Sequence, residues 1–145
     1  MPTAVIPFDV VSDVIRERMP EAFSRMKAAL LARWPMLICM VEESAKPQPR
    51  PTTATWYLSI LWSSDSDEVA ATITAIDDRG TFSINADVCY GAELVWESNM
   101  RMTDADELNI DTLNGFLERY IAAAPDPLMA SAARLRDQEM ARGPL

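Results

Sequence analysis

The stretch that decides the fold is Thr81-Phe82-Ser83-Ile84-Asn85-Ala86-Asp87-Val88-Cys89-Tyr90, then Gly91, then Ala92-Glu93-Leu94-Val95-Trp96-Glu97-Ser98-Asn99-Met100-Arg101-Met102. In its first half, Phe82, Ile84, Ala86, Val88 and Tyr90 fall on one side of an extended chain. Thr81, Ser83, Asn85, Asp87 and Cys89 fall on the other. In its second half, Leu94, Trp96, Met100 and Met102 alternate with Glu93, Glu97, Asn99 and Arg101. Alternation at period two describes half-buried antiparallel strands, apolar toward a core and polar toward water. Asp77-Asp78-Arg79-Gly80 punctuates the chain before the pair, and Gly91 supplies a turn or bulge within it.

Working back toward the N-terminus, Val69 to Ile76 predicts one more strand. Thr55 to Ser63 predicts another, with Trp56, Leu58, Ile60 and Trp62 on one face and Tyr57, Ser59 and Leu61 on the other. Short turns join these runs, so they pair as an antiparallel meander. Met36 to Glu43 is a short apolar run and predicts the first strand. Ala45 to Thr53 carries Pro47, Pro49 and Pro51 and reads as a stiff solvent loop.

Helices flank the sheet. Val11, Val14, Ile15, Met19, Ala22, Phe23, Met26, Leu30 and Leu31 keep a three/four spacing, which predicts a helix from about Val10 to Arg33. Pro20 lies inside that pattern and is expected to kink it or split it in two. Leu113, Phe116, Leu117, Tyr120 and Ile121 predict a helix ending near Ala124. Asp126 and Pro127 read as the cap and first position of a last helix, Leu128 to Arg142, with a thin apolar face of Leu128, Ala132 and Leu135. The expected fold is α+β: an antiparallel sheet of four to five strands packed against N-terminal and C-terminal helices. One domain spans 1–145, with a leader at 1–7 and a peripheral C-terminal helix at 126–145. The 145 residues suffice for one core without disulfides or metal.

Charge is uneven. The formal net charge is −9. Residues 65–111 hold twelve acids against Arg79 and Arg101, whereas residues 1–50 are near balance. A concentrated negative field repels nucleic acid and anionic membrane and speeds encounter with basic proteins. It serves solubility equally well, and both readings stand on charge alone.

The chain has no histidine, which removes the commonest general base and metal ligand. No glycine-rich phosphate loop exists. Asp65-Ser66-Asp67-Glu68 and Asp104-Ala105-Asp106-Glu107 lack the glycine and distal glutamate of a calcium loop and read as polar turns and helix starts. Glu93 and Glu97 lie four apart, about 13 Å along a strand, too far for a retaining carboxylate pair. No enzyme, cofactor or metal is expected. Cys39 and Cys89 have no CxxC spacing and are expected as free thiols, close together only if the first strand neighbours Thr81 to Tyr90. The N-terminus lacks a basic segment followed by a long apolar one, and no uncharged run approaches the ~20 residues of a membrane span, so a bacterial-type cytoplasm is expected.

The order helix, acidic meander, amphipathic helix, together with the string Leu94-Val95-Trp96-Glu97-Ser98, resembles the build of small immunity proteins of bacterial toxin systems. The resemblance spans Thr55 to Ile121. It implies a cytoplasmic binder that blocks one toxin, with no residue roles carried over. The same element order is also similar to secretion chaperones, small acidic dimers that bind an effector. On either reading the expected partner is a basic protein, bound by a monomer or homodimer. The expected docking surface is the acidic sheet face and its ends: Asp87, Glu93, Glu97 and Arg101 on strands, Asp65, Asp67, Asp104 and Asp106 beside them, and Trp62 as apolar anchor.

Overall fold

The computed structural model describes residues 8–46, 52–78, 81–102 and 110–142, with 46, 78, 81–82 and 100–102 as backbone. Eight elements follow in chain order: α1 (Phe8–Arg33), β1 (Ile38–Lys46), β2 (Thr52–Leu61), β3 (Glu68–Asp78), β4 (Thr81–Tyr90), β5 (Glu93–Met102), α2 (Ile110–Ala123) and α3 (Pro125–Arg142). The five strands form one antiparallel sheet in the order β1-β2-β3-β4-β5. The α+β meander expected from the alternation is therefore the fold. The strands at the proline-rich segment run further than expected, since β1 reaches Lys46 and β2 begins at Thr52.

All three helices lie on one side of the sheet. There the side chains meet in rows across the strands. Leu58, Ala71 and Val88 form one row; Trp56, Ile73 and Ala86 form the next. Each row mixes large and small residues, so the sheet face stays level enough to receive helices. Every one of these side chains is buried. From α1 the stripe Val11, Ile15, Met19, Ala22, Phe23, Met26 and Leu30 closes over them.

Pro20 was expected to kink or split α1; the helix is not split, since one element, Phe8–Arg33, carries it. The interior proline costs about 3 kcal/mol through its missing N–H and its clash with the preceding turn. Burial of a side chain such as Met19 or Phe23 contributes roughly 1.5–3 kcal/mol each. Both flank the proline with no exposed surface. Packing thus outweighs the local defect. The C-terminal helix also differs from the expectation of a peripheral element. It begins at Pro125, and its thin stripe of Leu128, Ala132 and Leu135 lies within the core. Ser131 and Ala132 are small enough for close approach, so a narrow face suffices.

The β4–β5 pair holds the one departure from simple alternation that matters for the site. Val88 pairs with Trp96, and the next partner of Cys89 is Leu94, which leaves Val95 as an extra residue in a bulge. The side assignments of the residues before Val95 are thereby reversed. Leu94 was expected on the core side and stands outward, half exposed; Glu93 was expected on the acidic side and lies opposite Tyr90 on the helix side. Gly91 makes the turn with φ +57°. Glycine adopts this left-handed conformation without steric cost. Its N–H donates to the Glu68 carbonyl at 2.7 Å.

Candidate functional site: the open face of the sheet

The outward positions of the strands have no described element over them. Register defines their layout. One row crosses all five strands as Met40, Ser59, Ala70, Cys89 and Leu94. The next, two residues along β1 to β4 and three along the bulged β5, is Glu42, Tyr57, Thr72, Asp87 and Glu97. Beyond the first row, at the sheet end, lie Ile38, Leu61 and Glu68. The face is thus divided into an apolar row and an acidic row. Ile38 is 44% exposed, Met40 is 46% exposed and Leu94 is 50% exposed. Ile38 and Met40 stand on the β1 edge and Leu94 on the β5 edge, with the smaller Ser59, Ala70 and Cys89 between them.

Hydrogen bonds hold the carboxylates. Ser59 Oγ donates to Glu68 Oε2 at 2.6 Å, and the Tyr57 hydroxyl donates to Glu42. Asn99 Nδ2 donates to Glu97 Oε2 at 3.2 Å, and the Cys89 thiol donates to Asp87 Oδ1 at 3.6 Å. Partial burial raises the Asp87 carboxyl above the usual carboxylate range; the Cys89 hydrogen bond opposes this and the Glu97 charge adds to it. Burial also raises the Cys89 thiol, reinforced by the Asp87 charge, so little thiolate exists there for nucleophilic work. The face offers acceptor oxygens and apolar surface, which is the equipment of a binding surface.

Of the residues proposed from sequence, Asp87 and Glu97 meet as direct cross-strand neighbours on this face. Glu93 does not join them. It pairs with Arg134 of α3, because the bulge turns it to the helix side. Arg134 also lies over the Tyr90 ring, with Cζ 4.1 Å from its centroid, so Glu93 belongs to the clamp that holds α3 to the sheet. Trp62 is partly exposed just past the end of β2 and packs one side against the core. Asp65 is exposed at the β2–β3 turn, and Asp67 accepts from Gln138 Nε2 of α3 at 2.7 Å. The side chain of Arg101, and Asp104 and Asp106, lie outside the described residues. Ile38, Met40, Leu61 and Leu94, the apolar half of the face, were not among the residues read from sequence.

The two cysteines are free and far from forming a pair. Two strands separate β1 from β4, and Cys39 is buried on the helix side while Cys89 faces outward. On the helical side, a groove of about 840 Å³ runs between α1 and α2, lined by Arg18, Glu21, Arg25, Asn114 and Glu118 among others. Arg18 crosses it, donating to Asn114 Oδ1 at 2.9 Å. Among the described residues, no group of three or more cysteine, aspartate or glutamate side chains is placed to hold a metal ion. No described helix is long and apolar enough to cross a membrane.

Comparison with known proteins adds no relative: no family model, no curated protein and no solved structure matches the chain.

Proposed function

We propose that this protein is a non-catalytic, protein-binding inhibitor that neutralises a bacterial toxin, in the manner of the immunity proteins its sequence resembles. The observation that supports the reading most is the open sheet face, where exposed apolar side chains adjoin hydrogen-bonded carboxylates. Such a broad surface suits a protein partner, whereas small ligands call for concave, enclosing pockets. The chain's lack of histidine is consistent with inhibition by binding rather than by chemistry. The partner is a basic protein, drawn by the field of a chain with net charge −9. The compartment is the bacterial cytoplasm, where free Cys39 and Cys89 stay reduced.

The test is growth rescue. Cells expressing a basic toxin encoded beside this protein should be protected by the wild type and should lose protection with Glu97→Lys. A toxin that kills equally in the presence of wild-type protein sinks the reading. A second reading, a dimeric secretion chaperone, draws on the β1 edge, whose outer backbone has no strand partner among the described residues and could pair with another copy. Sedimentation separates the two: a concentration-independent dimer that keeps an effector soluble favours the chaperone.

A further inference from the structure

The two rows on the open face describe what should sit there. Neighbouring strands lie about 4.8 Å apart, so each five-residue row is about 19 Å long. The apolar row is Met40-Ser59-Ala70-Cys89-Leu94 and the acidic row is Glu42-Tyr57-Thr72-Asp87-Glu97. Two residues along β1 to β4 separate them, and three along the bulged β5, a distance of about 7 Å. An extended segment presents one line of side chains to a surface, every second residue, and so would satisfy only one of the rows. An α-helix is about 10 Å across and rises about 1.5 Å per residue. About 13 residues cover the length, and two adjoining stripes of the helix reach both rows at once.

Charge then selects the occupant. Glu42, Glu68, Asp87 and Glu97 all point outward on or beside the two rows, and neither row holds a lysine or arginine. A second copy using the same face would set four carboxylates against four more, which is destabilising between directly apposed like charges. A cationic partner meets no such penalty. We infer that the open face receives an amphipathic helix of a basic protein, about four turns long, with its apolar stripe on the Met40–Leu94 row and an adjoining Lys/Arg stripe on the Glu42–Glu97 row. This deepens the binding role proposed above and rests on it.

The experiment titrates the isotope-labelled full chain with three synthetic 18-residue peptides and follows backbone amide shifts. The first is a leucine/lysine helix with leucines at three/four spacing; the second has the same composition scrambled; the third replaces lysine by glutamate. The first peptide should shift Met40, Ser59, Ala70, Asp87, Leu94 and Glu97. The scrambled peptide should bind at least tenfold more weakly, and the acidic one should cause no shifts. Met40→Ser with Leu94→Ser should weaken the first peptide at least tenfold without moving the unfolding midpoint, since both side chains are about half exposed. Asp87→Asn with Glu97→Gln should flatten the salt dependence of its affinity. Equal affinity for the scrambled peptide, or shifts centred on Arg18, Glu21 and Asn114 in the α1–α2 groove, would overturn the inference. Either result leaves the inhibitor reading to be decided by growth rescue alone, and failure of rescue with the peptide mapped to this face would sink that reading while keeping the surface.

Discussion

Ile73 pairs with Trp56 on one side and Ala86 on the other, and helices close over all three. One residue earlier on the same strand, Thr72 lies between Tyr57 and Asp87 on the open side of the sheet. The backbone is the same and the strand order is the same, but the two faces do different work. On the helix face, large and small apolar residues share each row so that three helices can land. On the open face, polarity changes from one row to the next, which divides the surface into an apolar band and an acidic band. The first face holds the buried core, and the second carries the exposed apolar and acidic positions.

That division can be broken or sharpened by substitution. The largest effect should come from the sealed face: Phe23→Ala should lower unfolding free energy by about 3–5 kcal/mol in urea titration, because the helix-side core cannot collapse over the void. Met40→Ala on the open face should stay within about 0.5 kcal/mol, and a larger loss would mean that face is structurally closed. Next is the turn that joins β4 to β5, where Gly91 sits in the left-handed region. Gly91→Ala should cost about 1–2 kcal/mol by the same titration, because a Cβ is strained in that conformation. The added methyl meets no neighbouring atom, so the loss is one of backbone conformation and not of crowding.

A smaller effect probes the tie between the faces. The Tyr120 hydroxyl, on α2, donates to the Asp87 carbonyl at 3.0 Å, and burial with the nearby Asp87 charge raises its pKa far above the phenol range. Tyr120→Phe should therefore cost about 1 kcal/mol at any pH where the protein folds. The smallest effect concerns Asp87 itself. Its folded carboxyl is raised, so ionisation there opposes folding; this penalty is fully present above the folded pKa and vanishes as pH falls below the unfolded value. Asp87→Asn should accordingly be slightly more stable than wild type near neutrality, with the difference shrinking on acidification. Paired urea melts at neutral and mildly acidic pH decide it; a difference that grows with acid contradicts the assigned sign.

Much of this arrangement was legible in the chain. The alternation in Ser83 to Tyr90 and in Thr55 to Leu61 gave the correct sides, because those ladders run without interruption. Asp87 and Glu97 were placed on one face and are neighbours there. Glu93 and Leu94 were misassigned because alternation cannot signal a bulge: Val95 looks like any strand residue, and only the pairing of Cys89 with Leu94 shows that it is extra. The apolar band was missed for a different reason. Ile38-Cys39-Met40-Val41 is apolar at every position, so the sequence carries no period to separate Cys39, turned inward, from Met40, turned outward. The available hint was Ser59 and Leu61, which the β2 alternation already put on the open side. The two-helix alternative at Pro20 and the peripheral reading of the thin α3 stripe weighed local propensity without the burial that overrides it.

The bulge at Val95 makes β5 tolerant of a change in length. Its pairs on either side, Val88 with Trp96 and Cys89 with Leu94, are already those of a strand one residue shorter. A gene that lost the Val95 codon would encode an unbulged ladder in which Leu94 still faces outward and Glu93 still reaches Arg134. In this strand, then, a deletion is the conservative event. An insertion beside it would need a second bulge to keep the two faces in phase.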